Sequence, residues 1–460
     1  MPRSPATGAR WTAFRLLQHV EQRGSLDEQA MDSALRALDD PRERSLAFEL
    51  VYGVLRQRGT LDWRLNEVSK RPVERLPLPV ATVLRLSAYQ LLYLDRIPQS
   101  AAVNESVSLV KSVRDRDWSG YVNAVLRALL REPAPPWPDP AGDPVAALSI
   151  RYSSPAWLVE RWIERLGAQT AQHLCEATTL MPPLTIRANT LRTTRDALHE
   201  RLTEAGVENC PSPVSPVGLM LATQGAITEL PFFQDGWFYV EDEAAQLVPP
   251  LLDPQPGERI LDACAAPGGK ATHMAALMRN EGEIVAVDLN AARLRLVEEN
   301  CARLGVSIVK PVALDATRLG DGRTGSPSPA LLESPFDRIL VDAPCSGLGV
   351  LRRHPEGKWH KGAAQIPRHQ SRQSAILRRT SRLLRPGGVI VYSTCSTEPE
   401  ENERVIEDFC ADHADFSREA VTPWLPPSGR NLVTAHGDFS TMTSITSMDG
   451  FFAARLRKAS

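Results

Sequence analysis

From about residue 241 the chain alternates between short apolar runs and amphipathic helical stretches. That alternation limits the fold more than any other feature. Strands are predicted at Arg259–Cys264, Glu283–Asp288, Arg338–Asp342 and Gly388–Ser393, and helices at Ala291–Leu304 and Ser371–Leu384. Strand, crossover and strand in sequence build a parallel sheet with helices on both faces. Ligands of such sheets bind at the carboxyl ends of the strands.

The remaining chain divides by composition. At 460 residues it is too long for one core. Residues 1–132 read as all-helical, with Leu46, Leu50, Val51 and Val54 on one stripe of a helix over 42–56 and further helices at 81–94, 101–113 and 121–130. Residues 133–144 hold six prolines in twelve positions, which predicts a stiff linker and a domain boundary. Residues 145–240 read as a small α+β domain, with helices at Pro155–Leu166 and Thr194–Ala205 and strands at Leu184–Ala188 and Leu219–Ala222. A surface insertion is expected at 320–335, and 413–447 carries no clear pattern.

No apolar stretch approaches a membrane span. The first ten residues are too polar for a signal peptide, so a cytoplasmic protein is expected. Seven cysteines without a Cys-x-x-Cys pair argue against a disulfide framework or a zinc ribbon. His354, His360 and His369 lack metal-ligand spacing, and no metal is expected. Formal net charge is only −2, but 350–388 carries ten Lys or Arg against one acid, Glu356. A solvated helix face is the usual meaning of such a run; its excess favours phosphate contact. Trp118, Trp137 and Trp359 can stack bases, although packing is the better reading of the first two.

Residues 262–270 read D-A-C-A-A-P-G-G-K, directly after an apolar strand. Small residues and paired glycines let the backbone approach a ligand at a strand-to-helix turn. The run is neither a Walker A loop nor G-x-G-x-x-G. Asp288 ends the next strand, placed to bond ribose hydroxyls, and Arg293 follows on the next helix. Asp315, after another strand, is in position to reach an adenine amino group. A generic dinucleotide fold, or a glycine turn with no ligand, is the competing reading.

Two further motifs end strands: D-A-P-C-S-G at 342–347 and Y-S-T-C-S-T-E-P-E-E-N-E at 392–403. In a parallel sheet their ends converge. Carbon 5 of cytosine is a poor nucleophile until a thiolate adds at carbon 6, and cysteine suits that role. Enzymes that methylate exocyclic nitrogens need no such thiol. Spacing alone does not decide between Cys345 and Cys395 as the attacking residue.

These motifs resemble the Nol/Nop/Sun family of RNA cytosine-5 methyltransferases, especially its bacterial RsmB (Sun, Fmu) branch. The resemblance covers nearly the whole chain, including Y-V-N-A-V-L-R at 121–127, R-R-H-P-E-G-K-W at 352–359 and D-G-F-F-A-A at 449–454. It implies a NusB-like helical N-terminal domain, an RRM-like middle domain and a Rossmann-like methyltransferase domain. It implies S-adenosyl-L-methionine as cofactor, lined by Cys264, Ala265, Ala266, Pro267, Gly268, Gly269, Lys270, Asp288, Arg293, Asp315 and Asp342. By the same resemblance Cys395 is the nucleophile, Cys345 assists product release, Asp342 contacts the cytosine and Lys270 orients the active-site carboxylate. Phe451 and Phe452 are expected as strand core near the pocket. The implied partner is 16S rRNA, met before the subunit is fully assembled, by a monomer without membrane or metal. A tRNA methyltransferase, or an assembly factor with a vestigial cofactor fold, are the alternatives. The chain departs from the family pattern at Glu356, where Asp is usual, and at Glu241 in Y-V-E-D-E, where Gln is usual.

Overall fold

The computed structural model describes residues 8–26, 28–112, 117–222, 227–319, 330–443, 446 and 448–460. The chain forms two compact units: Met1–Met181 with Leu351–Ala363, and Pro182–Val350 with Ala364–Ser460. Among the described residues no helix is long and apolar enough to cross a membrane.

The first unit is helical: α1 (Ala9–Arg23), α2 (Glu28–Arg36), α3 (Pro41–Val68), α4 (Leu78–Tyr93), α5 (Gln99–Lys111), α6 (Ser119–Arg131), α7 (Pro144–Arg151), α8 (Ala156–Leu166) and α9 (Ala168–Ala177). Helix α3 starts where the Asp40 carboxylate accepts the Arg42 N–H and Pro41 takes the first position. Leu50, Val51 and Val54 of the predicted stripe are buried in the helical core. The helix runs on to Val68 instead of ending near 56, through Gly53 and Gly59. Both glycines serve close approach. A Cβ at 53 would strike the Tyr89 ring, and one at 59 would lie 2.8 Å from Trp359.

The proline-rich segment is not where compactness ends. Helix α7, just beyond it, packs on α3: Thr60 Oγ1 donates to the Ile150 carbonyl at 2.6 Å, and Ser153 Oγ accepts the Gly59 N–H at 2.8 Å. Those bonds carry the first compact unit past the proline-rich segment to Met181. Residues 351–363 rejoin this unit from far along the chain. Trp359 Nε1 donates to the Leu55 carbonyl at 3.2 Å, and Glu356 accepts the Leu26 N–H at 3.3 Å. Trp359, half-buried with Arg58 above its ring, is packed and not offered for base stacking.

The second unit holds two sheets. The smaller is antiparallel: β1 (Leu184–Ala188), helix α10 (Arg195–Glu204), β2 (Asn209–Pro211), β3 (Gly218–Leu221) and β4 (Phe238–Val240), in order β2-β3-β1-β4. The larger follows through α11 (Glu243–Leu252), β5 (Arg259–Asp262), α12 (Gly269–Leu277), β6 (Glu283–Asp288), α13 (Ala291–Leu304), β7 (Val309–Ala313) and β8 (Phe336–Asp342). After α14 (Gly357–His360), which belongs to the first unit, come α15 (Ile366–Ser381), β9 (Leu384–Thr394), α16 (Glu403–Asp412), β10 (Phe416–Glu419), β11 (Phe439–Ser440) and β12 (Phe452–Lys458). Strand order is β10-β12-β9-β8-β5-β6-β7, with β11 paired to β12. Of the insertion expected at 320–335, residues 320–329 lie outside the described residues.

The five strands from β5 to β9 are parallel as predicted, but β12 runs antiparallel to β9 and β10 antiparallel to β12. The wholly parallel expectation fails at this edge, where β11 and β12 pair antiparallel and no helix lies between them among the described residues. The consequence is functional. β12 starts at the carboxyl end of β9, with Phe452 opposite Thr394, so Phe451 sits at the mouth of the sheet.

Candidate active site

The turn after β5 is shaped by its glycines. Gly268 has φ +102°, and a Cβ there would lie 3.2 Å from the Val297 backbone. A Cβ on Gly269 would meet the Tyr239 ring at 2.8 Å. Only glycine fits both positions. The turn is braced from outside. Asp288 Oδ2 accepts the Ala266 N–H at 3.2 Å, Arg293 donates to the Ala266 carbonyl at 2.8 Å, and Asn300 to the Pro267 carbonyl at 3.1 Å. From β1, Arg187 donates to the Gly269 carbonyl at 2.7 Å and pairs with Glu241 at 2.6 Å, all buried. The departure at Glu241 thus supplies the counter-ion of the arginine that holds the Gly268–Gly269 turn.

Asp288, Asp315 and Asp342 end or follow β6, β7 and β8, the strand tips where a nucleoside would lie. Burial pulls the Asp315 carboxyl upward, but the Thr317 hydroxyl and N–H bonds win and hold it below the usual range. Lys270, on the first turn of α12, reaches Asp342 Oδ2 at 2.7 Å and lies 5.3 Å from the Phe451 ring centre. Ser393 Oγ donates to the other oxygen of Asp342 at 2.8 Å. Burial alone would lower the Lys270 pKa; Asp342, then Glu241, raise it beyond the ordinary value.

The two motif cysteines meet. Cys345 Sγ and Cys395 Sγ are 3.3 Å apart, at the ends of adjacent parallel strands. The contact with Cys395, then burial, pushes the Cys345 thiol well up. Cys264 is pushed up by burial as well, so its side chain stays a neutral thiol. Three participants were missed by sequence reasoning. Asp262 is 1% exposed, and its carboxylate oxygens accept no side-chain hydrogen bond among the described residues. Burial first, then Asp342, pushes its carboxyl to about 7. Glu401 is one acid in a run of four, and Arg187 is one arginine in a different sheet; neither stood out.

An S-adenosyl nucleoside fits these residues. The glycine cradle has no room for side chains, acids stand at the strand tips, and the buried Asp262 carboxyl ends β5 just before the turn. The basic run is sorted by burial: Lys358 is fully buried and Arg352 nearly so, which corrects the reading of the whole run as phosphate contacts. Arg378 pairs with Asp412, and Arg385 with Asp337. Arg368, Arg372 and Arg382 on and after α15 are exposed.

A parallel-stranded nucleotide fold with this turn and these acidic tips is that of an S-adenosylmethionine-dependent methyltransferase. The family model described as 16S rRNA methyltransferase RsmB/F matches residues 249–457; NusB family matches 7–131, and the RsmF/B-like ferredoxin-like domain 154–228. The Synechocystis sp. "Probable ribosomal RNA small subunit methyltransferase B" is 37% identical over 98% of this chain and 99% of its own. The Escherichia coli O1:K1 "Ribosomal RNA small subunit methyltransferase B" is 36% identical over 97% of each. The crystal structure of PH0851 superposes with TM-score 0.84 at 25% identity, over 99% of this chain and 100% of that one. The chain belongs to the RsmB/F family of 16S rRNA methyltransferases, and S-adenosylmethionine is its expected cofactor.

Proposed function

We propose that this chain methylates carbon 5 of a cytosine in 16S rRNA through a covalent cysteine adduct, acting in the cytoplasm before the small subunit is complete. The observation that carries the reading is the pair of thiols 3.3 Å apart beside the Lys270–Asp342 ion pair. A nitrogen or oxygen methyltransferase has no use for two sulfurs in contact at its strand ends.

Bound S-adenosylmethionine supplies an electrophilic methyl group. Residues 264–270, Asp288, Arg293, Asp315 and Asp342 would hold it. Cys395, as thiolate, adds to carbon 6 of the ring, and the electron pair released into the ring makes carbon 5 nucleophilic. Asp342, oriented by Lys270 and Ser393, contacts the cytosine. Once carbon 5 carries the methyl group, water takes the carbon 5 proton with Cys345 as proton shuttle, and the electron pair left behind re-forms the carbon 5–carbon 6 double bond. The sulfur–carbon 6 bond then breaks, and Cys395 leaves as thiolate. A base in folded RNA has to leave its stack to reach such a pocket, which gives the NusB-like and ferredoxin-like regions the task of holding flanking RNA.

Cys395→Ala should abolish methyl transfer to 16S rRNA while calorimetry still registers cofactor binding. Undiminished transfer by that variant moves the attack to Cys345 or ends the adduct mechanism. Bisulfite sequencing of rRNA from a strain lacking the gene identifies the cytosine; an unchanged 16S pattern would remove the substrate.

A further inference from the structure

Glu401 is completely buried. A carboxylate in that position is costly unless its oxygens are bonded. Here Oε1 accepts the Ser346 N–H at 2.7 Å and Gln373 Nε2 at 3.1 Å, and Oε2 accepts the hydroxyls of Ser346 and Ser396. Ser346 directly follows Cys345, and Ser396 directly follows Cys395. One carboxylate therefore grips the residue behind each thiol. Its own position is over-determined. The Tyr392 hydroxyl donates to the Glu401 carbonyl at 2.5 Å, and Asn402 Nδ2 donates to the Ser396 carbonyl at 2.9 Å. Gln373 also donates to the Pro344 carbonyl at 3.1 Å, from the residue before Cys345.

We propose that Glu401 is a positioning residue for the thiol pair: by binding Ser346 and Ser396 to one carboxylate, it holds the Cys345 and Cys395 loops so that the sulfurs stay in contact. This rests on the reading that both thiols act in one reaction. The Glu401 charge adds to the upward push on Cys345, behind the larger effects of the Cys395 contact and burial.

The test uses the full chain with Glu401→Gln, which keeps the shape and removes the charge, and Ser396→Ala, which cuts one tie and spares the carboxylate. Three quantities are read: the rate at which diamide joins Cys345 to Cys395, by peptide mass spectrometry; kcat and KM for methyl transfer; and the cofactor Kd by calorimetry. Glu401→Gln should slow disulfide formation and lower kcat by ten-fold or more each, with KM and Kd within two-fold. Ser396→Ala should lower both rates by a few-fold, and it carries the test alone if the glutamine variant does not fold. A disulfide rate within two-fold of the parent in the folded variants overturns the proposal. The underlying reading fails differently: Cys395→Ala then keeps its methyl transfer, and Glu401→Gln keeps its kcat, although the disulfide rate still drops.

Discussion

The dipeptide Gly-Lys opens two helices in this molecule, α12 at Gly269-Lys270 in the second unit and α14 at Gly357-Lys358 in the first. Both lysines are largely withdrawn from water, yet their charges are treated oppositely. Lys270, with 13% of its side chain exposed, has Asp342 at 2.7 Å and Glu241 nearby, and its pKa rises despite burial. Lys358 is wholly buried, and its Nζ donates to the Ser153 carbonyl at 3.2 Å. Burial pushes it down to about 7; Cys175, itself pushed up to about 11 by burial, pulls the other way, and Arg56 adds to the burial. Burial alone expels charge; a carboxylate in contact retains it. The same dipeptide thus holds a carboxylate-paired cation in one unit and an amine that burial drives toward losing its proton in the other.

The largest effect should come from removing the retained charge. Lys270→Met leaves Asp342 with no cation and with the Asp262 carboxyl close enough to feel it. Breaking a buried pair from one side typically costs about 3 kcal/mol or more. Urea unfolding should show a loss of that order, and methyl transfer should fall by roughly 100-fold, the rate equivalent of about 3 kcal/mol. If both stability and turnover survive nearly intact, the pairing does not distinguish the two lysines and the comparison breaks.

Lys358→Met should move the other way. The folded lysine titrates at about 7, and an unfolded one near 10.4. Between those values the unfolded chain binds more protons, so wild-type stability rises with pH across that window. Below it, the burial penalty is fully present. The methionine variant should therefore gain about 2 kcal/mol at pH 7, and the gain should fade as pH approaches about 10. Unfolding curves at pH 6, 7 and 9 measure the slope. A destabilised variant without a pH slope would mean that Lys358 is charged and well partnered.

Much of the methyltransferase fold was legible because the sequence signals there are local. β6 and α13 have the predicted bounds, since an apolar run and a 3.6-residue period do not depend on distant packing. The glycine turn after β5 and the convergence of the two thiols were legible through motifs at strand ends. What escaped was decided at long range. Nothing near 351–363 shows that it leaves its neighbours to pack in the first unit, and the charge run looks uniform although Lys358 is inside and Arg372 is outside. Glu401 was hidden among Glu398, Glu400 and Glu403; Glu400 instead faces Arg404 at 3.2 Å. The turn of the loop over β9 selects which acid points inward, and no periodicity encodes that turn. Glycines 53 and 59 read as breaks in α3 until their neighbours from other elements are known.

The smallest effect should come from the exposed part of the same basic run. Arg372 lies exposed on α15 and contributes to holding the Asp315 carboxyl down. Truncating an exposed cation changes stability by about 0.5 kcal/mol or less. Arg372→Ala should therefore leave the unfolding midpoint nearly unchanged, unlike either lysine variant. Binding to a 16S rRNA fragment should weaken instead, and the slope of log Kobs against log salt should flatten by about 0.7, one single-strand phosphate contact. Lys358→Met, from the same basic run, should leave that slope unaltered, because an amine sealed in a helical core releases no counterion. Equal slopes for the parent and Arg372→Ala would remove this arginine from the RNA surface, while a slope changed by Lys358→Met would contradict its burial.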